Sequence, residues 1–200
     1  MNLKEVVRIM KKNLLIIAPF VIVIALVALA FFMRNEKANQ QSWAYDYDLD
    51  QEILNLGAHG KAIYHGETYN YEKDDQYFTF SQSGKESFKI RYEMTEGAAG
   101  QEAMYLYEPK TYDFAGEGTP NGLYGLWKAE DGASFEFTEQ GTFMEDGYFY
   151  GACSVDENLG KIKLIYDSNF RFNDSYIYYQ LEDGKIRVEY PWRLYKRVEE

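Results

Sequence analysis

The chain has 200 residues, 21 basic and 32 acidic, for a formal net charge of −11, which leaves no basic face for phosphates and argues against nucleic acid as a partner. A single cysteine excludes an intramolecular disulfide, while 19 Tyr, 13 Phe and 3 Trp offer large, strand-compatible side chains to fill an interior without one. Beyond an apolar N-terminal segment, the length suits one generous β domain or two small ones.

The first 13 residues carry Lys4, Arg8, Lys11 and Lys12 and read as a short cytoplasmic tail. Residues 14–33 are uncharged and apolar, with Pro19 the only helix-unfriendly residue. Twenty such residues rise about 30 Å as a helix, the thickness of a bilayer's hydrocarbon core. The excess of basic residues before the run places the N-terminus inside and the remainder outside. The competing reading is a cleaved signal peptide. Its small-residue site would be Ala28-Leu29-Ala30, but that lies within the run, and the run is longer than a signal core of about 7–15 residues. A retained single-pass anchor is therefore expected, with localisation at the cell membrane. Past the anchor, 17 basic and 31 acidic residues give −14, which also disfavours docking flat on anionic lipid.

Residues 34–42 are polar and predict a stalk. Residues 45–52 alternate acidic and apolar side chains, with a D-x-D-x-D opening that resembles a calcium loop. Gln51 and Gly57 stand where such a loop needs Gly and Glu, so a short helix is preferred, with Asp48 or Asp50 as N-cap and Gly57 as the stop. The rest of an N-terminal β-meander (43–115) follows, with strands at 62–64, 77–81, 88–94 and 104–107. Residues 112–122, holding Gly116, Gly118, Pro120, Asn121 and Gly122, form the best internal linker.

In the second half (123–198), strands are predicted at 123–129, 134–138, 142–145, 148–155, 161–167, 176–181, 185–190 and 193–198. Asp131-Gly132, Asp146-Gly147 and Asp183-Gly184 supply hairpin turns. The fold class is all-β, an antiparallel meander or barrel behind one N-terminal helix. Phe78-Thr79-Phe80 and Phe135-Glu136-Phe137, each followed by [ST]-x-x-G, match at an offset of 57. Two related meanders and chance likeness between aromatic hairpins both account for this echo.

Gly125-Leu126-Trp127, then Phe135-Glu136-Phe137 with Gly141-Thr142-Phe143, then Ser154-Val155-Asp156, Lys161-Ile162-Lys163-Leu164 and Lys185-Ile186-Arg187-Val188, follow one another in an order similar to small bacterial lipocalin-like domains. The resemblance spans about 75 residues. It implies a calycin-type barrel in an exported or membrane-anchored envelope protein. It further implies a basic residue, Arg193 or Arg197, packed across Trp127. Short strands and aromatic filling point to a small barrel more than to a bound lipid.

No G-x-S-x-G, Walker loop or H-E-x-x-H occurs. His59 and His65, six residues apart on an extended segment, would share a side, but no cysteine lies near them and they read as surface or loop histidines. Cys153 lies in an apolar stretch and reads as a small hydrophobe. No cofactor and no metal is implied, and no catalytic residue stands out. If Phe149, Cys153, Tyr179 and Leu181 face inward, Tyr148, Tyr150, Tyr176 and Tyr178 face the other way. With Trp127, those four tyrosines are the candidate ligand-binding residues, unless that face packs on the 61–107 meander. The function expected is a membrane-anchored, extracytoplasmic, non-catalytic binding or interaction module with an envelope protein or glycan partner. The alternatives are an accessory subunit that contacts a membrane complex through its helix, and an envelope-polymer hydrolase built on carboxylates.

Overall fold

The computed structural model describes residues 40–197. The predicted tail (1–13), the membrane span (14–33) and most of the stalk (34–42) lie outside them. Among the described residues no helix is long and apolar enough to cross a membrane.

Seven strands precede the connection at 115–124: β1 (Gln41–Tyr45), β2 (Asp48–Leu56), β3 (Lys61–Tyr64), β4 (Glu67–Lys73), β5 (Tyr77–Ser81), β6 (Phe88–Glu96) and β7 (Glu102–Phe114). Seven follow it: β8 (Gly125–Lys128), β9 (Ser134–Phe137), β10 (Thr142–Glu145), β11 (Phe149–Asp156), β12 (Lys161–Tyr166), β13 (Ser175–Glu182) and β14 (Lys185–Lys196). Every neighbouring pair is antiparallel and β1 meets β14, so the fourteen strands form one closed, barrel-like ring.

The ring is pinched in the middle. β7 and β14, the two longest strands, pair with each other along eleven rungs from Lys185↔Asp113 to Tyr195↔Ala103. The other edge of β7 holds β6 through residues 102–107 and β8 through 113–114. The other edge of β14 holds β13 through 185–189 and β1 through 194–196. The β7–β14 ribbon therefore divides the sheet into two rings of eight strands. The first ring is β1 to β6 with the start of β7 and the end of β14. The second is β8 to β13 with the end of β7 and the start of β14. Each meander's last strand closes the other's ring.

Each ring has its own core, and both cores lie on one face of the ribbon. Met104, Leu106 and Leu194 face Trp43, Leu54, Phe78 and Phe80 in the first. Tyr112, Ile186 and Val188 face Trp127, Phe135, Phe137 and Ile162 in the second. Strand alternation explains this: β9 buries Phe135 and Phe137 and exposes Glu136, the period of a half-buried strand.

Pairing register shows that the two rings are related by an approximate two-fold axis across the ribbon. Trp43 pairs with Lys196 at the start of one meander and Trp127 with Phe114 at the start of the other. Tyr92↔Leu106 and Tyr179↔Val188 are corresponding rungs. Phe114 and Lys196, like Leu106 and Val188, are 82 residues apart. The F-x-F echo is not this relation. β5 is two strands before β7 and β9 two strands after it, so the echo joins positions that the axis does not superpose.

Pro109 and Pro191 are also 82 residues apart, and each sits where its strand changes partner on one edge. A missing N–H costs a ladder nothing where there is no second neighbour.

Several sequence expectations are corrected. The helix predicted after Asp48 or Asp50 is strand β2, its first four residues exposed and its last four buried; alternation of acidic and apolar residues is a strand period, and the capping reading lost to it. The stalk ends earlier, because Gln41 and Ser42 already belong to β1. The strands expected at 185–190 and 193–198 are one strand running through Pro191. The strand expected at 104–107 runs on to Phe114, which shortens the linker. Neither arginine covers Trp127. Arg193 bonds to the Glu96 carbonyl at 3.1 Å and lies 5.3 Å from the Tyr195 ring centroid, and Arg197 approaches Glu52 at 4.0 Å.

Candidate functional site

The four predicted tyrosines do not form one surface. Tyr148 and Tyr150 stand exposed at the start of β11, with Phe170 at 5.7 and 5.1 Å between ring centroids. Tyr176 lies two strands away on β13, level with Ser154, under the Lys161 ammonium at 4.5 Å. Tyr178 turns toward the first ring: its hydroxyl meets Glu93 at 3.1 Å and its ring meets Tyr107 edge-on at 5.2 Å. Only Tyr178 packs on the 61–107 meander, so the face is neither a two-layer core nor a continuous tyrosine platform. Phe149, Cys153 and Tyr179 are half-buried as their alternation requires, whereas Leu181 is 42% exposed at the strand end.

Trp127 is fully buried and is a structural residue. Its Nε1–H donates to the Leu123 carbonyl at 2.7 Å, and Phe114 abuts it edge-on at 5.3 Å. Burial pushes the Cys153 thiol pKa up, which keeps it protonated and unreactive.

The structure instead opens a crevice of about 360 Å³ between the two rings, on the core-facing side of the ribbon. Its floor is the ribbon's midpoint, with Glu108, Lys110, Tyr190 and Trp192; its wall is the second ring, with Tyr112, Phe135, Glu145 and Asp146. Glu108 and Tyr190 are the rung that straddles the two-fold axis. The volume falls within the range of small-molecule sites.

Two tight hairpins aim side chains at this rung. β3 ends at Tyr64 and turns through His65-Gly66; β10 ends at Glu145 and turns through Asp146-Gly147. All four turn residues have left-handed φ, at 47°, 78°, 54° and 66°, as a tight primed turn requires; the first loop has two residues and the second takes in Tyr148 as a third. In the first ring the hairpin supplies the phenol and the ribbon the carboxylate: Tyr64 Oη donates to Glu108 Oε1 at 2.9 Å. In the second the roles are exchanged, with the carboxylate of Glu145 on the hairpin and the phenol of Tyr190 on the ribbon. Tyr166 joins this second set, donating to Glu145 at 2.7 Å and meeting the Tyr190 hydroxyl at 3.2 Å.

The electrostatics differ between the two halves. Desolvation raises the Glu145 pKa above the usual carboxylate range; the Tyr166 hydrogen bond works against this, the neighbouring Asp146 charge adds to it, and Tyr190 opposes it. Burial and the Glu145 charge push the Tyr190 phenol up to about 12, so it stays a neutral donor. His65 Nε2 lies 2.8 Å from Glu108 Oε1. This hydrogen bond raises the His65 pKa, partly offset by desolvation and aided by the Glu108 charge.

A pH effect follows from Glu145. Its folded pKa exceeds the unfolded value of about 4.3, so the folded state holds more protons and this group's contribution falls as pH rises through that window. Glu145→Gln removes the titration. The variant is expected to gain stability relative to the parent between pH 4 and neutrality, read as the difference in urea midpoints. A difference that stays constant across this range would show that Glu145 is not desolvated.

On the opposite face of the ribbon, Arg91 of β6 binds the rings together. Its guanidinium lies 3.9 Å from the Tyr178 centroid and 4.7 Å from that of Tyr77, and Nε reaches Glu189 at 3.4 Å.

Sequence reasoning missed Glu108, Glu145, Tyr190 and Trp192. The available signal was Glu108-Pro109 and Tyr190-Pro191-Trp192, prolines inside otherwise strand-like segments that mark where a strand lacks a second neighbour. His59 and His65 both sit in turns, and among the described residues no group of three His, Cys, Asp or Glu is placed to hold a metal. Compared with family models, curated proteins and solved structures, the chain matches none of them.

Proposed function

We propose that this chain is a membrane-anchored, extracytoplasmic, non-catalytic binding module, and that its ligand occupies the crevice at the ribbon's midpoint. The observation that carries this reading is the crevice itself. Both ring interiors are filled by aromatic and aliphatic side chains, and the junction holds a hollow, less open than the shallow ones on the outer faces, where aromatic rings and carboxylates converge. The anchor is supported by the apolar run at 14–33 and the basic residues before it. A lipocalin-like origin is supported by meander order in both eight-stranded rings and by a buried tryptophan on the first strand of each; on that reading the ligand has moved from the barrel interior to the joint between barrels.

The test is a map of small-probe binding by NMR on the full chain in neutral maltoside micelles. Chemical-shift changes from a panel of uncharged and charged aromatic and aliphatic fragments are expected to cluster at Tyr112, Tyr190 and Trp192. Clustering at Tyr148, Tyr150 and Phe172 instead would move the site to the outer sheet face and overturn this assignment.

A further inference from the structure

We propose that the crevice selects an organic ammonium ion, with its charge against Glu108 and its alkyl groups against Trp192 and Tyr190. This rests on the reading of the crevice as the ligand site and specifies the chemical class.

Three independent features of the hollow agree. The first is charge: Glu108, Glu145 and Asp146 line it against a single cation, Lys110, and the Lys110 ammonium is held by Asp131 at 2.7 Å. An anionic ligand would meet carboxylates with no free counter-charge. The second is the aromatic surface. Trp192 is flanked by Tyr45 at 5.6 Å, Tyr47 at 6.2 Å and Tyr190 at 5.6 Å between centroids. Ring faces attract a cation's positive charge and tolerate its alkyl groups, tryptophan most strongly. The third is unused acceptor capacity. Glu108 Oε1 receives Tyr64 and His65, but among the described residues Oε2 has only the Tyr45 hydroxyl at 3.4 Å, well beyond the usual O–H···O distance of about 2.7 Å. A carboxylate oxygen with no close donor beside a tryptophan keeps negative charge open to a ligand's positive charge, which a quaternary ammonium meets by electrostatic attraction without needing an N–H.

The size is also suitable. About 360 Å³ corresponds to a dozen water molecules at ~30 Å³ each, enough for a trimethylammonium-sized head group and too little for a folded partner's loop.

The experiment compares choline with its uncharged isostere 3,3-dimethylbutan-1-ol, titrated into the full chain in neutral maltoside. Trp43 and Trp127 are 1% and 0% exposed, so a saturable change in tryptophan fluorescence reports Trp192, and calorimetry gives the affinity. Choline is expected to bind at least tenfold tighter than the alcohol. Glu108→Gln keeps an acceptor for Tyr64 and is expected to abolish that preference, leaving the alcohol unchanged. Trp192→Leu, a milder change of shape, is expected to weaken choline at least fivefold. Urea unfolding curves establish that each variant is folded.

Equal binding of the two ligands, or choline binding that survives both substitutions, overturns the proposal while leaving the crevice as the site. Absence of binding by either ligand also overturns it. The fragment map then decides separately whether the crevice reading stands, since clustering at Trp192 keeps it and clustering elsewhere removes it.

Discussion

A chain ending at Tyr190 is expected to lose its folded structure, although it retains residues 40–107 and every residue of β8 to β13. The ten residues removed include Trp192 and the fully buried Leu194. They also carry the β14 rungs to β1 and the five rungs from Pro191 to Tyr195 against β7. Loss of a buried leucine side chain alone costs about 2–5 kcal/mol, and each net ladder hydrogen bond about 1 kcal/mol. Set against a whole-domain stability of about 5–15 kcal/mol, the deletion removes most of what exists. Met104, Leu106 and Ile53 would face water, and β1 would become an open edge. Near-ultraviolet circular dichroism and a urea curve provide the measurement. A chain ending at Arg197 serves as control and should unfold as the parent does. If the Tyr190-terminated chain melts cooperatively near the parental midpoint, the first ring closes without the end of β14, and the exchange of last strands has no structural role.

The second large effect is expected from Trp127→Ala. The indole is fully buried, packed against Phe114 and tied to Leu123, so its removal should cost about 3–5 kcal/mol, or about 10 °C in Tm for a domain of this size. Because β7 and β14 serve both rings, the loss should appear in one transition for the whole molecule. Trp43→Ala, at the related position of the other ring, should lower the same transition. Two separate transitions, only one of them moved by each substitution, would show that the rings unfold independently and that the ribbon does not couple them. Arg91, held between Tyr77 and Tyr178 and paired with Glu189, adds to this coupling from the opposite face.

Local alternation made the second meander readable from residues alone. Phe135 and Phe137, Ile162 and Leu164, and Ile186 and Val188 face inward as their period of two requires, and Asp146-Gly147 and Asp183-Gly184 turn the chain as expected. The first meander was harder. In β2 the residues Asp48 to Gln51 are exposed on both faces, so acidic spacing looked like a helix start. Pro191 hid the continuity of β14, because a proline in a strand reads as a break unless one edge is known to be free. The crevice was not legible for a related reason. Glu108, Glu145 and Tyr190 lie on three strands far apart in sequence, and no local pattern announces that a two-fold axis brings them together. The candidate residues chosen from sequence were the aromatics visible in local strand patterns, and one of them, Trp127, is fully buried in the second core.

The β1–β14 ladder also sets an order in time. Trp43 pairs with Lys196, and the Arg197 amide donates to the Ser42 carbonyl at 2.8 Å. β1 must therefore wait, unpaired on one side, until β14 has left the ribosome. Pairing of Trp43 with Lys196 spans a wide sequence separation, and loop closure of that length makes folding slow. For the whole of that interval β1 displays a free edge bearing Trp43 and Tyr45, the kind of surface on which nascent chains aggregate. Both meanders can pair strand with neighbour as they emerge, so the ring that β14 completes is the one that β1 begins.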